Sequence, residues 1–214
     1  MTTPVVEPVP LGRLLRLPAL WLMGVAHFMS NYGFYFLLAW LPLYLTKTLG
    51  YSITEMTLLT TLSFTAQGIA ALAAGRLSDR AVARGRDEAA LRRRTMIVAQ
   101  AVVGAAIAGV WFAHGPWQLG ACLILAGIGS GFVSVNLYAV AQIFSGPRAA
   151  GGWVGIQNAV GNAAGIIGPI ITGVIIDRLG SYGYAFTIAA LVSGSGALWW
   201  RWAVPPIQQV EVLT

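Results

Sequence analysis

Charge, cysteine and histidine are scarce in this chain of 214 residues. Charged residues make up 9% of it, against roughly 25% in ordinary globular proteins, so a soluble domain is disfavoured. One cysteine, Cys122, excludes a disulfide within the chain, and together with two histidines it forms no cluster of metal ligands. The sequence also lacks paired carboxylates in an apolar setting and a phosphate-binding loop. It therefore predicts no enzyme, no metal and no cofactor.

Apolar residues, by contrast, make up 57% of the chain and form long runs. Such runs indicate an all-α integral membrane protein. The sequence predicts a polar lead-in over 1–18, a six-helix transmembrane bundle over 19–204 and a polar tail over 205–214. The six spans cover about 19–45, 56–77, 95–113, 117–144, 150–176 and 182–204. Pro42 is the expected kink, Ser52 or Thr54 the expected N-cap of the second span, and 145–148 the expected turn between the fourth and fifth.

Basic residues cluster in one interval, because seven of the thirteen lie between positions 76 and 94. An arginine cluster between apolar runs is typical of a cytoplasmic loop, and it accounts for the net charge of +6 without a nucleic-acid partner. Six crossings place both termini on one side. If that side is cytoplasmic, eleven basic residues lie inside and two outside, which predicts a multi-pass protein of the cell inner (plasma) membrane with both termini cytoplasmic.

The sequence Gly-x-x-x-Asp-Arg occurs twice, each time at the end of an apolar run. The first copy contains Gly75, Asp79 and Arg80, and the second, 98 residues later, contains Gly173, Asp177 and Arg178. Three spans separate the copies, so they face opposite sides of the membrane. This indicates a three-plus-three inverted repeat, which is typical of secondary transporters.

Three stretches together resemble one family. The first copy with Arg84 resembles the signature loop of the major facilitator superfamily, 31–45 resembles that family's seventh helix, and 155–169 resembles its eleventh. The whole set resembles the C-terminal half of the anion:cation symporter branch. The resemblance implies alternating-access transport of a small organic anion, such as a sugar acid, usually with protons. Two departures are Val82, where the signature has glycine, and six spans where carriers have twelve.

The missing half matters, because in the resembling branch the substrate-binding arginine and the proton-coupling carboxylates lie mainly there. The resemblance therefore implies a partner: a second six-helix bundle, from a missing half or another copy. The rival interpretations are a truncated remnant that inserts but transports nothing, and an accessory membrane subunit. Neither the solute nor the coupling ion follows from the sequence.

Polar side chains within the spans are the candidate substrate contacts, since polar groups in lipid are costly unless they face protein or a cavity. Helical spacing places the candidates on stripes of the first, fourth and fifth spans, although Asn136 falls opposite the Ser130, Ser134 and Tyr138 stripe. Hydrogen bonds between helices are the alternative role, for His27 as much as for the asparagines. Gln100 stands alone in the third span, which suggests a lipid-facing helix. The predicted cavity residues are His27, Asn31, Tyr32, Tyr35, Ser134, Asn136, Gln157, Asn158 and Asn162.

Overall fold

The computed structural model describes residues 9–210, and α-helices make up most of that range. Within that range there are helices and no strands, so the all-α prediction is confirmed. The elements are α1 (Leu11–Leu14), α2 (Pro18–Leu43) with a π-helical turn (Tyr44–Thr48), α3 (Ile53–Ala83), α4 (Glu88–Phe112), α5 (Pro116–Asn162), α6 (Ala164–Leu179) and α7 (Tyr182–Trp202).

Local sequence explains where several helices begin and end. Ser52 caps α3 as expected, because its hydroxyl accepts from the Glu55 N–H at 3.2 Å while the Glu55 carboxylate accepts from the Ser52 N–H at 2.8 Å. Asp87 caps α4 with a single bond, in which its carboxylate accepts from the Ala90 N–H at 2.6 Å. Gly85 ends α3 with a φ of +82°, a left-handed conformation that a residue with a Cβ adopts only at a cost.

A break at Gly146, with a φ of +62°, divides α5 into a first limb (116–145) and a second limb (147–162). The Tyr138 hydroxyl on the first limb donates to the Asn158 Oδ1 on the second at 2.9 Å. In a straight helix those two residues would lie about 30 Å apart along the axis. The chain therefore doubles back at the break, within the turn predicted over 145–148.

The arginine-rich interval is mostly helical, and not the long loop that its composition suggests. Helix α3 continues to Ala83 and α4 starts at Glu88, so only residues 84–87 lie outside a helix. Hydropathy marks the apolar part of a helix, whereas arginine and alanine favour continuing it beyond that part. The π-helical turn similarly carries the first helix past Pro42 to Thr48.

Two apolar clusters fill the bundle, one above the other along the helix axes. The lower cluster is built around Phe144, Trp153 and Trp200, and the upper one around Phe36 and Phe186. Each long helix that enters both clusters has polar or small residues between its two contributions. This pattern leaves a polar layer across the middle of the bundle.

Glycines let the first limb pack closely against α3 on one side and α4 on the other. A Cβ at Gly127 or Gly131 would collide with carbonyl oxygens of α3, and one at Gly129 would lie 2.7 Å from the Val103 side chain of α4. Gly127 and Gly131 therefore form a close-packing surface against α3.

Within residues 9–210, three helical stretches are long and apolar enough to cross a membrane: Ile53–Ala83, Glu88–Phe112 and Pro116–Leu179. The first of them, α3, is covered mainly by the first limb. It leaves large apolar side chains exposed along the rest of its surface, including Leu58 at 72% and Leu72 at 67%. Helix α6 does the same, with Ile166 at 68% and Ile170 at 61%.

Both described ends of the chain meet the break in α5. The Val9 N–H donates to the Arg148 carbonyl at 3.2 Å, and the Val210 N–H donates to the Phe144 carbonyl at 3.0 Å. The two ends therefore lie at the same end of the bundle.

Candidate functional site

The polar layer contains a cavity of about 170 Å³, bounded by α2, α3, α4 and both limbs of α5. None of its lining residues is Asp, Glu, Lys or Arg, so its polar groups are amides, hydroxyls and one imidazole. Tyr138 is 38% exposed, which opens the cavity to the surface of the bundle. The lining consists of His27, Ser30, Asn31, Phe34, Tyr35, Gln67, Gln100, Val103, Ser130, Val133, Ser134, Leu137, Tyr138 and Asn162.

Helix α2 supplies the largest share of the lining because its polar residues recur at helical spacing. His27, Asn31 and Tyr35 are four residues apart and face the same way, as the sequence predicts. The Tyr35 hydroxyl and the Asn31 amide both donate to the Asn162 Oδ1, at 2.8 and 3.2 Å. Asn162 thus ties α2 to the second limb at the cavity wall.

Gln100 makes a second link across the cavity, from α4 to α2. Its amide donates to the Ser30 hydroxyl at 2.8 Å, and that hydroxyl donates to the Ala26 carbonyl at 2.8 Å. Gln100 is fully buried and its Oε1 has no partner. The interpretation of α4 as a lipid-facing helix is therefore wrong. The cost of an unpaired amide in lipid was the signal that should have placed Gln100 against protein.

His27 lies at the back of the cavity and is 2% exposed. Its ring rests on Gly161, where a Cβ would collide with it, and meets the Tyr138 ring edge-on at a centroid distance of 5.7 Å. Its Nδ1 is buried without a hydrogen-bond partner. Asn158, which accepts from the Tyr138 hydroxyl, lies just outside the lining.

Three residues predicted for the cavity lie elsewhere, each on a helix face turned away from it. Tyr32 is buried in the upper apolar cluster beside Gly168. Asn136 is fully buried and accepts from the Arg92 guanidinium at 3.2 Å. Gln157 is buried and accepts from the Trp153 indole N–H at 3.0 Å. Each of them is one to five positions away from a cavity residue on its own helix. Because the side chains of a helix turn with each residue, this offset points them away from the cavity stripe.

Gln67, Ser30, Phe34 and Val103 line the cavity without having been predicted for it. Gln67 is the most informative of them, because it is a polar residue in the apolar body of α3. The same signal that marks Gln100 was available for it.

The two Gly-x-x-x-Asp-Arg copies lie at the ends of α3 and α6, outside the cavity lining. Asp79, Arg80 and Arg84 are exposed, as are Asp177 and Arg178. No hydrogen bond or ion pair joins any of these five side chains to another residue in the described part of the chain. The glycines differ, since a Cβ at Gly173 would contact Trp40 at 3.6 Å whereas one at Gly75 would meet nothing.

Two arginines of the basic interval have specific partners instead. Arg92 pairs with Glu88 at 2.7 Å while it donates to Asn136. Arg93 donates to the carbonyls of Trp200, Val204 and Pro205 at the end of α7. A cation there satisfies carbonyl groups that a helix end leaves unpaired.

Comparison with known proteins places the whole bundle in context. The family model described as Major Facilitator Superfamily matches residues 23–211. The chain is 29% identical over 92% of its length to "Probable anion transporter 1, chloroplastic" of Oryza sativa subsp. japonica, and covers 37% of that protein. It is 28% identical to "Ascorbate transporter, chloroplastic" of Arabidopsis thaliana over 92% of its length and 36% of the relative. It is 27% identical to "Hexuronate transporter" of Bacillus subtilis (strain 168), over 86% of its own length and 44% of the length of that relative. The chain thus spans well under half the length of the curated relatives it matches.

Proposed function

Because the chain belongs to the Major Facilitator Superfamily, we propose that it is one half of a carrier that moves a small organic anion across a membrane. The anion is a sugar acid or a similar carboxylate, moved by alternating access and coupled to protons. The observation that carries this proposal is the polar cavity in the middle of an otherwise apolar bundle. Amides and hydroxyls of that kind suit the hydroxyl and carboxylate groups of a sugar acid. The relatives named for hexuronate, ascorbate and other anions support the same solute class.

The proposed topology has six crossings in two inverted groups of three. The crossings are α2, α3, α4, the first limb of α5, the second limb with α6, and α7. An even number of crossings agrees with the two described ends lying at one end of the bundle. The distribution of basic residues supports cytoplasmic termini, and we propose the plasma membrane as the location.

A second six-helix bundle completes the proposed carrier. Three observations support it. The chain covers 37% of the length of the Oryza sativa relative. Helices α3 and α6 expose large apolar side chains, and the cavity is open at Tyr138. The cavity lining also has no arginine or lysine, so a permanently charged partner for the anion would have to come from outside it. Asp79 and Arg80, exposed and unpaired among the described residues, are proposed to contact this second bundle.

The rival proposal is a non-transporting remnant or an accessory membrane subunit. It is favoured by the same short coverage of the relatives, and it predicts insertion without transport. Sequencing the DNA on either side for the remaining helices separates a split carrier from a remnant.

Transport itself is tested in proteoliposomes. The chain is reconstituted alone, and with the N-terminal half of a hexuronate carrier, and uptake of labelled glucuronate is measured with and without an inward proton gradient. Uptake only in the paired sample supports the proposal. Uptake by the chain alone would refute the need for a second bundle, and no uptake of glucuronate, ascorbate or phosphate in either sample would leave the remnant as the better account.

The cavity assignment is tested in the same paired sample. Asn162→Ala and Asn158→Ala should lower glucuronate uptake while the amount of inserted protein is unchanged. Thr187→Ala, on the exposed side of α7, is the control. Normal uptake in both asparagine variants would contradict a role of this cavity in transport.

A further inference from the structure

His27 is the one imidazole in a cavity whose lining has no charged residue. Its ring is held by packing contacts with Gly161 and Tyr138, and it makes no hydrogen bond to another described residue. A buried polar group without a partner is uncommon in folded proteins and calls for an explanation. In a cavity that takes up a solute, the absent partner can be the solute.

The groups that face His27 are neutral. Tyr138 and Gly161 lie against its ring, and Ser134, Asn162, Gln100 and Gln67 line the same cavity. On α2 itself the neighbours are Asn31 and Tyr35, so tyrosine hydroxyls are the other titratable groups of the cavity. The charged residues of α4 lie in its first two turns, where Glu88 pairs with Arg92, and Arg201 lies at the far end of α7. Those of α3 lie at its end, from Arg76 onward, apart from Glu55 in its first turn.

We infer that His27 takes up one proton together with the carboxylate anion, so that the cavity binds the two as a neutral pair. This inference rests on the proposed anion transport and names the residue that couples it to protons. In the empty cavity an imidazolium would have no counter-charge among the lining residues. With a carboxylate in the cavity, the added proton on His27 balances its charge. Neither ion then has to be desolvated alone.

Linkage makes the coupling reciprocal: if the anion favours protonation of His27, a proton on His27 favours the anion by the same factor. Between the midpoints of the His27 titration in the empty and the occupied cavity, anion affinity should fall about tenfold for each unit of rising pH. A carrier built this way moves one proton with each carboxylate in the direction of the proton gradient.

The sequence offers a direct measurement, because it has two histidines, His27 and the exposed His114. The full chain, labelled with nitrogen-15 histidine, is placed in lipid nanodiscs together with the unlabelled N-terminal half of a hexuronate carrier, and its imidazole signals are followed by NMR from acid to neutral pH. The titration is recorded with no solute, with glucuronate, and with glucose as a neutral analogue. His114→Gln assigns the two signals and leaves the cavity intact.

The inference expects glucuronate to raise the midpoint pH of the His27 titration, with glucose and the His114 signal showing no shift. His27→Gln should bind glucuronate with an affinity that no longer depends on pH over the same range, whereas His114→Gln keeps the dependence. Glucuronate binding without a shift at His27 would overturn the inference and leave the proposed transport standing. If neither glucuronate nor ascorbate binds at any pH, the proposed function falls and the inference with it.

Discussion

Helices α3 and α4 are consecutive, of similar length and both apolar enough to cross a membrane. Helix α4 nevertheless lies inside the bundle, whereas α3 lies at its surface. Helix α4 is enclosed between α5 and α7, with Met96, Val103 and Ile107 buried in the apolar clusters. Helix α3 packs mainly against the first limb and exposes much of its apolar surface. Apolar composition is therefore a poor guide to which helix is central in this bundle.

Small residues and polar anchors make the difference between the two helices. Helix α4 meets α7 at Gly104, where a Cβ would lie 2.6 Å from the Gly194 Cα, and Arg93 fastens its start to the end of α7. Helix α3 has glycines too, but Gly68 and Gly75 face open space. Central position thus follows from close backbone approach and from bonds at the helix ends, and each can be tested by matched changes in α4 and α3.

The largest effect is expected from adding a methyl group to the α4 glycine. Gly104→Ala should lower the free energy of unfolding by about 1–3 kcal/mol, because overpacking forces the two backbones apart. Gly68→Ala, the matched change in α3, should be neutral or stabilise by about 0.5–1 kcal/mol, since alanine favours helix over glycine. Denaturation in mixed micelles, followed by circular dichroism, measures both. Equal losses in the two variants would show that α3 is packed as tightly as α4.

The next largest difference is expected between an arginine of α4 and one of α3. Arg93→Ala should lower the free energy of unfolding by about 2 kcal/mol, because three carbonyls at the end of α7 lose a charged donor. Arg80→Ala on α3 should change stability by less than about 0.5 kcal/mol, as expected for an exposed side chain. A loss for Arg80→Ala in the isolated chain as large as that for Arg93→Ala would mean that α3 is fastened by contacts other than those described.

The cavity glutamines of α4 and α3, Gln100 and Gln67, are expected to affect transport more than stability. Gln100→Leu keeps the side-chain volume and removes an amide with an unpaired oxygen, so the free energy of unfolding should change by less than about 1 kcal/mol. Uptake by the paired carrier should nevertheless fall several-fold, and Gln67→Leu should lower it less because Gln67 is only half-buried at the cavity edge. Uptake unchanged by Gln100→Leu would remove α4 from the functional site.

The smallest effect on the isolated chain is expected at Asp79. Its charge lies near the C-terminus of α3, where it opposes the helix dipole, so Asp79→Asn should stabilise the isolated chain by about 0.3–1 kcal/mol. If the side chain contacts a second bundle, the same variant should weaken copurification of that bundle. Asp177→Asn on α6 is the matched variant, with the same sign expected for stability. Unchanged copurification for Asp79→Asn would contradict the proposed contact.

How far the sequence predicts this molecule depends on the range of the interaction involved. Local signals predict the apolar part of the helices, the Ser52 cap and the turn at Gly146, because hydropathy and capping act over a few residues. The stripe of His27, Asn31 and Tyr35 likewise follows from helical spacing alone, and these three residues do line the cavity.

What the sequence did not predict depends on how the helices are rotated against one another. Asn136 is among the predicted cavity residues although helical spacing places it opposite the serine and tyrosine stripe, and its face of α5 is turned to α4, where it meets Arg92. The sequence favours a lipid-facing α4 because Gln100 stands alone in its apolar body, and only the packing of the helices shows that Ser30 of α2 lies beside it. From the sequence, Arg93 is one more basic residue that orients the chain in the membrane. Its hydrogen bond to the Val204 carbonyl follows only from the packing of α4 beside the end of α7.

The meeting of residues 9 and 210 at the break in α5 has a consequence for how the fold is connected. Two backbone hydrogen bonds hold the described ends to positions 144 and 148, so a short linker could join them and turn the chain into a closed ring of helices. Cutting that ring at the exposed residues 84–87 would yield a circular permutant that begins with α4 and ends with α3. The order in which the helices leave the ribosome is then separable from the order in which they pack.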